Sequence, residues 1–183
     1  MSRRIVIAYW LIPTEPARSY FQNIVNDLAE RHAAPEFEPH VTVHVGVDCT
    51  DSVNEALSRA ARANKQIALQ VLNVSHSPEF VKTLFITFAA NAQLQRLNQS
   101  ICEATQDSPD YQLNPHLSLL YKNMSIADRS LLARSVEVPF PEVTFGSLKA
   151  VRCVSPTRSR ADVEEWRFLA RAPLSDADGA TTR

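Results

Sequence analysis

The sequence repeats one five-residue pattern, a proline and a histidine followed by an aliphatic, a hydroxyl and another aliphatic residue. The pattern occurs as PHVTV at residues 39–43 and as PHLSL at residues 115–119. Because successive side chains of a β-strand point to opposite faces, the histidine and the hydroxyl of each copy are predicted to share one face. These residues are His40 and Thr42 in the first copy and His116 and Ser118 in the second. If the fold brings the copies together, two imidazoles and two hydroxyls meet in one cleft.

The two copies occupy corresponding places in the predicted secondary structure. Apolar periodicity and turn residues predict strand, helix, strand, helix, strand in the first half, then strand, helix, strand, helix, strand, strand. Strands are predicted at residues 5–12, 40–47, 67–74, 80–88, 116–121, 143–154 and 166–170. A first helix is predicted after a Thr14 cap, and a second runs from a cap at Thr50 or Asp51 to about Ala63. Two further helices are predicted around residues 94–104 and 125–134. Each copy lies on the strand after the first helix of its half, so we expect duplicated α+β lobes that face each other.

Length indicates one domain, cysteine content indicates a reduced, cytoplasmic protein, and we expect this protein to be a monomer. The chain has 183 residues, and we assign residues 1–174 to a single bilobal domain and 175–183 to a flexible tail. Its three cysteines are widely spaced and include no Cys-x-x-Cys pair, which indicates neither a disulfide framework nor a zinc knuckle. No apolar stretch approaches the ~20 residues of a membrane span, so no membrane association is expected.

Charge and glycine content limit which ligands the protein can bind and how it can hold them. With 19 Lys and Arg against 20 Asp and Glu, the chain lacks the basic excess of proteins that bind long nucleic acids. A small anionic ligand held by a few local cations remains compatible. Only three glycines occur, which excludes both the P-loop and the Gly-x-Gly-x-x-Gly fingerprint. Side chains would therefore have to hold any phosphate group.

Paired imidazoles suit the hydrolysis of a phosphodiester. An imidazole titrates near pH ~6.5, so at neutral pH one can act as base while its partner acts as acid. One histidine would deprotonate a water molecule and the other would protonate the departing oxygen. The hydroxyls of Thr42 and Ser118 can donate to non-bridging phosphate oxygens in the transition state.

The geometry and composition of the motif strands argue against a metal site. His40 and His44 lie ~13 Å apart along a strand, too far to share one zinc ion. The motif strands also offer no carboxylate or cysteine on that face. We therefore predict no metal and no cofactor, and we place His44 at the rim or surface.

Other residues allow a structural and a functional interpretation. Tyr9 and Trp10 are adjacent and so face opposite sides of their strand, one toward the core and one toward the cleft. Lys82 interrupts an apolar strand, where it could contact phosphate or simply face solvent. Large aromatic residues that include Trp166 are expected in the core.

The repeated His-x-Thr/Ser strands resemble the signature of the two-histidine (2H) phosphoesterase superfamily. Within it, the chain is most similar to the plant cyclic phosphodiesterases. The matching segments are residues 37–43, residues 115–121, the N-terminal strand at residues 9–13 and the stretch at residues 164–166. The resemblance implies a bilobal α+β fold with a central cleft between two pseudo-symmetric antiparallel sheets flanked by helices. It also implies metal-independent hydrolysis of ADP-ribose 1″,2″-cyclic phosphate and of nucleoside 2′,3′-cyclic phosphates to 2′-phosphates.

The same resemblance suggests individual roles. His116 would activate water, His40 would protonate the leaving oxygen, and Thr42 and Ser118 would grip the phosphate. Trp10 would line the substrate pocket. Tyr121 would help through its hydroxyl, although strict alternation places it opposite His116, so this role requires a break in the strand.

Two features depart from the plant pattern. Cys102 has no cysteine partner nearby, so redox control does not carry over. Lys82 replaces a neutral polar residue, which could change substrate preference.

Two alternative functions remain. The bacterial and archaeal branch of the superfamily opens RNA 2′,3′-cyclic ends and was named for 2′-5′ RNA ligation, but the near-zero net charge argues against a surface that tracks RNA. The second alternative is a module that binds nucleotides or RNA without catalysis. The intact histidines and hydroxyls of both copies argue against it.

Overall fold

The computed structural model describes residues 3–48, 50–107 and 111–176. Cys49 and residues 177–183 of the predicted tail lie outside this part of the chain. Within it, the strands are β1 (Arg4–Pro13), β2 (Val41–Val47), β3 (Ile67–His76), β4 (Leu84–Phe88), β5 (His116–Leu120), β6 (Glu142–Ser155) and β7 (Arg167–Pro173). The helices are α1 (Ala17–His32), α2 (Val53–Arg62), α3 (Ala92–Thr105), α4 (Ile126–Ser135) and α5 (Arg160–Glu164). None of these helices is long and apolar enough to cross a membrane.

All seven strands are antiparallel and form one hydrogen-bonded sheet in the order β1-β2-β5-β4-β3-β6-β7. Strand β6 also pairs with β1, so the sheet closes on itself. The two motif strands β2 and β5 are neighbours, joined by a single pair, Val41 with Leu117. The predicted α+β fold is confirmed, with the two motif strands side by side in one continuous sheet.

The sheet has one face against the helices and one face toward a cleft. Along β1, Ile7, Tyr9 and Leu11 belong to the main core. The alternate residues Ala8, Trp10 and Ile12 form a second, smaller cluster with Val151. The helices complete the main core through apolar residues at helical spacing: Phe21, Val25 and Leu28 of α1, and Leu94, Leu97 and Ile101 of α3. Tyr9 and Trp10 thus take opposite faces, as their adjacency requires.

Each motif strand carries a β-bulge directly after its hydroxyl residue. Trp10 of β1 pairs with Thr42, but Tyr9 pairs with His44, which leaves Val43 as an extra residue. In β4 and β5 the pairing likewise leaves Leu119 extra, immediately after Ser118. A bulge inserts one residue and so reverses which face the following side chains occupy.

The bulge corrects the prediction for His44. Simple alternation placed His44 on the face of His40, at the rim or surface. Because Val43 is extra, His44 instead turns toward the core, where only 1% of its surface is exposed. Its ring contacts Asp107 through Nε2 at 3.1 Å and the Cys102 sulfur through Nδ1 at 3.5 Å.

Three local predictions also differ from the structure. Thr14 does not cap α1, because its hydroxyl and backbone N–H both donate to the Thr144 carbonyl of β6. Residues 80–82 form a 3₁₀ turn ahead of β4 rather than the first part of the strand. Helix α5 was not predicted, although Ser159 and Asp162 form a capping box at its start, which is a readable sequence signal.

At the C-terminus, Ser175 of the predicted tail pairs with Lys65.

Candidate active site

One pocket of about 300 Å³ collects every candidate site residue. Its walls include the two motif histidines, the two motif hydroxyls and the three further candidates. These residues are His40, His116, Thr42, Ser118, Trp10, Tyr121 and Lys82. Tyr121 reaches the pocket because the Leu119 bulge reverses the alternation of its strand, which ends at Leu120. Val45 reaches the same pocket after the Val43 bulge of the other motif strand.

The two imidazoles are held in the same way by the backbone. His40 Nδ1 lies 2.6 Å from the carbonyl oxygen of Glu38, and His116 Nδ1 lies 2.6 Å from that of Asn114. A carbonyl oxygen can only accept, so each Nδ1 must carry the proton and donate it. In the neutral ring, Nε2 therefore keeps its lone pair, which is available for proton transfer.

Burial shifts the titration of both histidines. Burial in the pocket wall, together with the nearby His116, lowers the pKa of His40 from 6.5 to about 4, although the Glu38 carbonyl opposes the shift. The pKa of His116 is also lowered, first by burial and then by the positive charge of Lys82. Both rings are thus neutral near pH 7, since burial disfavours the charged form.

An aromatic ring and a lysine accompany each histidine. Trp10 stacks on His40 with ring centroids 3.7 Å apart and an angle of 13° between the rings. Phe85 meets His116 edge to face at 5.6 Å. The Lys149 nitrogen lies 5.9 Å from the Trp10 ring, and that of Lys82 lies 5.0 Å from the Phe85 ring. A set of one histidine, one aromatic residue and one lysine therefore occurs twice at the site.

The two lysines of these sets differ in their partners. The Lys149 ammonium is 2.6 Å from the Glu38 carboxylate, so its charge is compensated. Lys82 has no carboxylate partner in the part of the chain that the structure describes. Only Lys82 lines the pocket, which leaves its positive charge available to an anionic ligand.

The hydroxyl groups also differ. Ser118 donates its proton to the Val81 carbonyl at 2.8 Å. The Tyr121 hydroxyl is hydrogen-bonded to Ser118, and burial raises the pKa of that phenol. The Thr42 hydroxyl has no protein partner among the described residues. Thr42 is therefore free to donate to a ligand, whereas Ser118 must release Val81 before it can.

Trp166 and Tyr111 line the pocket although neither was a predicted site residue. Trp166 was expected in the core, but its ring packs edge-on against Trp10 at 5.1 Å and against Tyr121 at 6.0 Å. The one sequence signal for Trp166 was its place in the C-terminal stretch that resembles the plant proteins. Tyr111 carried no signal, because it lies outside any regular element.

No three His, Cys, Asp or Glu side chains within the described ranges are grouped closely enough to hold a metal ion. The site instead offers two Nε2 atoms, hydroxyl donors and one lysine charge around a single small pocket. These are the groups that acid–base cleavage of a phosphate ester requires.

A closed antiparallel α+β fold with two matching histidine–hydroxyl strands defines a two-histidine phosphoesterase. The model of the cyclic phosphodiesterase-like protein family matches residues 5–174. The chain belongs to this family, and it is therefore an enzyme of the phosphodiesterase class.

Individual relatives agree with this assignment. The cyclic phosphodiesterase of Arabidopsis thaliana is 22% identical over 177 residues, covering 94% of this chain and 97% of the plant protein. The crystal structure of TT0787 from Thermus thermophilus superposes with a TM-score of 0.59 at 14% identity, covering 93% of this chain and 98% of that one. Apo LigT from E. coli gives a TM-score of 0.53 at 12% identity, with 96% and 99% covered. At this identity the two crystal structures establish the shared fold.

Proposed function

We propose that the protein hydrolyses small cyclic phosphodiesters by paired-histidine acid–base catalysis without a metal ion. The substrates are ADP-ribose 1″,2″-cyclic phosphate, nucleoside 2′,3′-cyclic phosphates, or both, with 2′-phosphates formed from the nucleosides. One observation carries the proposal: both imidazoles line one pocket with Nδ1 anchored, so that each Nε2 can exchange a proton.

The two histidines take opposite roles in this scheme. His116 Nε2 accepts a proton from water as the water oxygen bonds to phosphorus. The bond from phosphorus to one ring oxygen breaks, and His40 Nε2 gives that oxygen a proton. Burial holds the pKa of His40 at about 4, so its acid form needs a nearby negative charge. The bound phosphate supplies that charge and favours the imidazolium.

Other groups hold the phosphate during the reaction. Thr42 donates its hydroxyl to one non-bridging oxygen, and Ser118 donates to another once it releases the Val81 carbonyl. Tyr121 is already bonded to Ser118 and supports it in this position. Lys82 adds a positive charge beside His116, where phosphate charge develops. Trp10 stacks on His40 and lines the pocket that receives the substrate.

The size of the pocket favours a small substrate over a polymer. About 300 Å³ is at the low end of small-molecule sites. E. coli LigT has been crystallised with phosphate and with 3′-AMP, which supports nucleotide binding in this fold. We accordingly propose a monomer that acts on a small cyclic phosphate and does not bind long nucleic acid.

A direct assay tests the proposal. The enzyme is incubated with 2′,3′-cyclic AMP in the presence of EDTA, and 2′-AMP is measured. We expect turnover by the wild type and its loss in both His40→Ala and His116→Ala, while the control His32→Ala, on α1, remains active. Binding without turnover would instead indicate a non-catalytic module. Turnover only of an RNA with a 2′,3′-cyclic end would indicate the RNA-specific branch.

A further inference from the structure

The two copies of the motif differ at the residue that anchors each histidine. The carbonyl oxygen that accepts from Nδ1 belongs to the residue two positions earlier, which is Glu38 for His40 and Asn114 for His116. The first copy thus carries a carboxylate at a position where the second copy carries a neutral amide. The chemistry described above makes no use of this difference, although it gives the two histidines opposite roles.

The Glu38 side chain is held between two cations. Glu38 lies in the irregular segment between α1 and β2. One carboxylate oxygen is 2.9 Å from Arg18 Nη2 of α1, and the other is 2.6 Å from Lys149 Nζ of β6. Burial opposes ionisation, but Lys149, Arg18 and the nearby Arg171 of β7 keep the pKa of this carboxyl below its ordinary value. A charged carboxylate therefore ties the residue that anchors His40 to both the helix and the sheet.

Lys149 brings a positive charge close to the His40 ring. Lys149 and Trp10 pair across β6 and β1, and the ammonium lies 5.9 Å from the centre of the Trp10 ring. Trp10 in turn stacks on His40 with ring centroids 3.7 Å apart. A cation in this place disfavours protonation of His40 unless an anion compensates it. The Glu38 carboxylate is that anion, because it forms an ion pair with the same ammonium.

The charges that act on the His40 ring come from several elements. Burial has the largest effect and lowers the pKa of His40, whereas the carbonyl and the carboxylate of Glu38 raise it. His116 of β5 and Lys149 of β6 lower it further as positive charges. Burial raises the pKa of each phenol and thiol that shares the pocket, so these groups are neutral near pH 7. They are Tyr111, Tyr121 and Cys153.

We propose that Glu38 is the positioning residue that fits His40 for the acid role. Its backbone carbonyl orients the imidazole, and its carboxylate compensates the Lys149 ammonium that would otherwise oppose the imidazolium. In the second copy, Asn114 brings no charge to His116, which suits a neutral base. The inference rests on the proposed function and adds a physical reason why the two histidines take different roles.

Variants that remove a charge but keep the shape of the side chain test this role. The readout is the pH profile of kcat and KM for 2′,3′-cyclic AMP. In Glu38→Gln the limb that His40 controls should move to lower pH, and kcat should fall by about tenfold, a part of the ~10²–10⁴-fold that a positioned acid supplies. KM should change by less than about twofold, because Glu38 is not among the described residues that line the pocket.

A second substitution separates charge compensation from a merely structural contact. In Glu38→Gln/Lys149→Gln both charges are absent, so the limb and kcat should return toward their wild-type values. A double variant as impaired as Glu38→Gln would overturn the proposal, since the ion pair would then serve only to hold the segment in place. The control is Asp27→Asn, which breaks an exposed ion pair with Arg31 on α1 and should change neither kcat nor the limb.

A titration that requires no turnover separates this inference from the proposed function. The His40 ring resonance, assigned by its absence in His40→Gln, is followed by NMR from pH 3.5 to 8 in the wild type, in Glu38→Gln and in the double variant. A lower pKa of His40 in Glu38→Gln that is restored in the double variant supports the role of Glu38, even if no cyclic phosphate is hydrolysed. An unchanged pKa in Glu38→Gln overturns it, even if the wild type is an active phosphodiesterase.

Discussion

Val41 pairs with Leu117 across β2 and β5, and the two residues occupy the same position in the two copies of the motif. In an antiparallel pair, this register places His40 beside Ser118 and Thr42 beside His116. The histidine of each copy therefore lies next to the hydroxyl of the other. One backbone pair relates the two halves of the site by a local twofold symmetry, and the site is built from both halves of the chain.

Activity should be greatest at acidic pH. Because burial lowers the pKa of His40 to about 4 and also lowers that of His116, both limbs of the kcat/KM profile should fall below pH 6.5. The profile should be a bell whose optimum lies below pH 6.5. Initial rates with 2′,3′-cyclic AMP from pH 3.5 to 8 test this, and a rate that does not change between pH 5 and 8 would contradict the mechanism.

The same burial makes stability depend on pH. The folded pKa of His40, about 4, is below its ordinary 6.5, so the unfolded chain binds the proton first as the pH falls. Stability is therefore complete above pH 6.5 and is lost as the pH falls toward 4, by roughly 3 kcal/mol. Urea unfolding at several pH values should show this loss in the wild type. In His40→Gln the loss should be smaller by that amount, while His32→Gln should retain it.

Lys82 should control the titration of His116. Its positive charge lowers the pKa of that imidazole, so Lys82→Gln should raise this pKa and move the limb of the kcat/KM profile that His116 controls to higher pH. KM should also rise, because the variant removes from the pocket a cation that no carboxylate of the described ranges pairs with. The control is Lys122→Gln, which removes a lysine that does not line the pocket. If the limb shifts equally in both variants, Lys82 has no specific effect on His116.

Removing the two hydroxyls should have different effects on stability. Thr42→Ala removes a hydroxyl that has no partner among the residues the structure describes, so activity should fall by about tenfold or more while the free energy of unfolding changes little. Ser118→Ala deprives the partly buried Val81 carbonyl of its donor and should cost about 1 kcal/mol of stability in addition to activity. Denaturant unfolding and kcat/KM of the two variants provide the comparison. A stability loss in Thr42→Ala as large as in Ser118→Ala would contradict this assignment.

The position of the Asp107 carboxylate should require glycine at residue 46. A Cβ atom at Gly46 would overlap the Asp107 carboxylate, which is paired with His44. We expect Gly46→Ala to destabilise the protein by roughly 1–3 kcal/mol, since the carboxylate must move. In Asp107→Ala the obstacle is gone, so the double variant should cost less than the sum of the single variants. Additive losses would show that the clash is not the cause.

Much of the site could be predicted from the sequence, because its signals are local. The spacing of His40 and Thr42, and of His116 and Ser118, depends only on the alternation of a strand. The opposite faces of Tyr9 and Trp10 follow from the same rule. The order of strands and helices, apart from the short helix α5, likewise follows from apolar periodicity.

Tertiary structure alone decided where that alternation stops. The extra residues Val43 and Leu119 are defined against their partner strands, so no property of β2 or β5 alone reveals a bulge. These bulges bury His44 and turn Tyr121 into the pocket. Chain packing likewise brings Trp166 from the far end of the sequence against Trp10, a contact that no local pattern encodes.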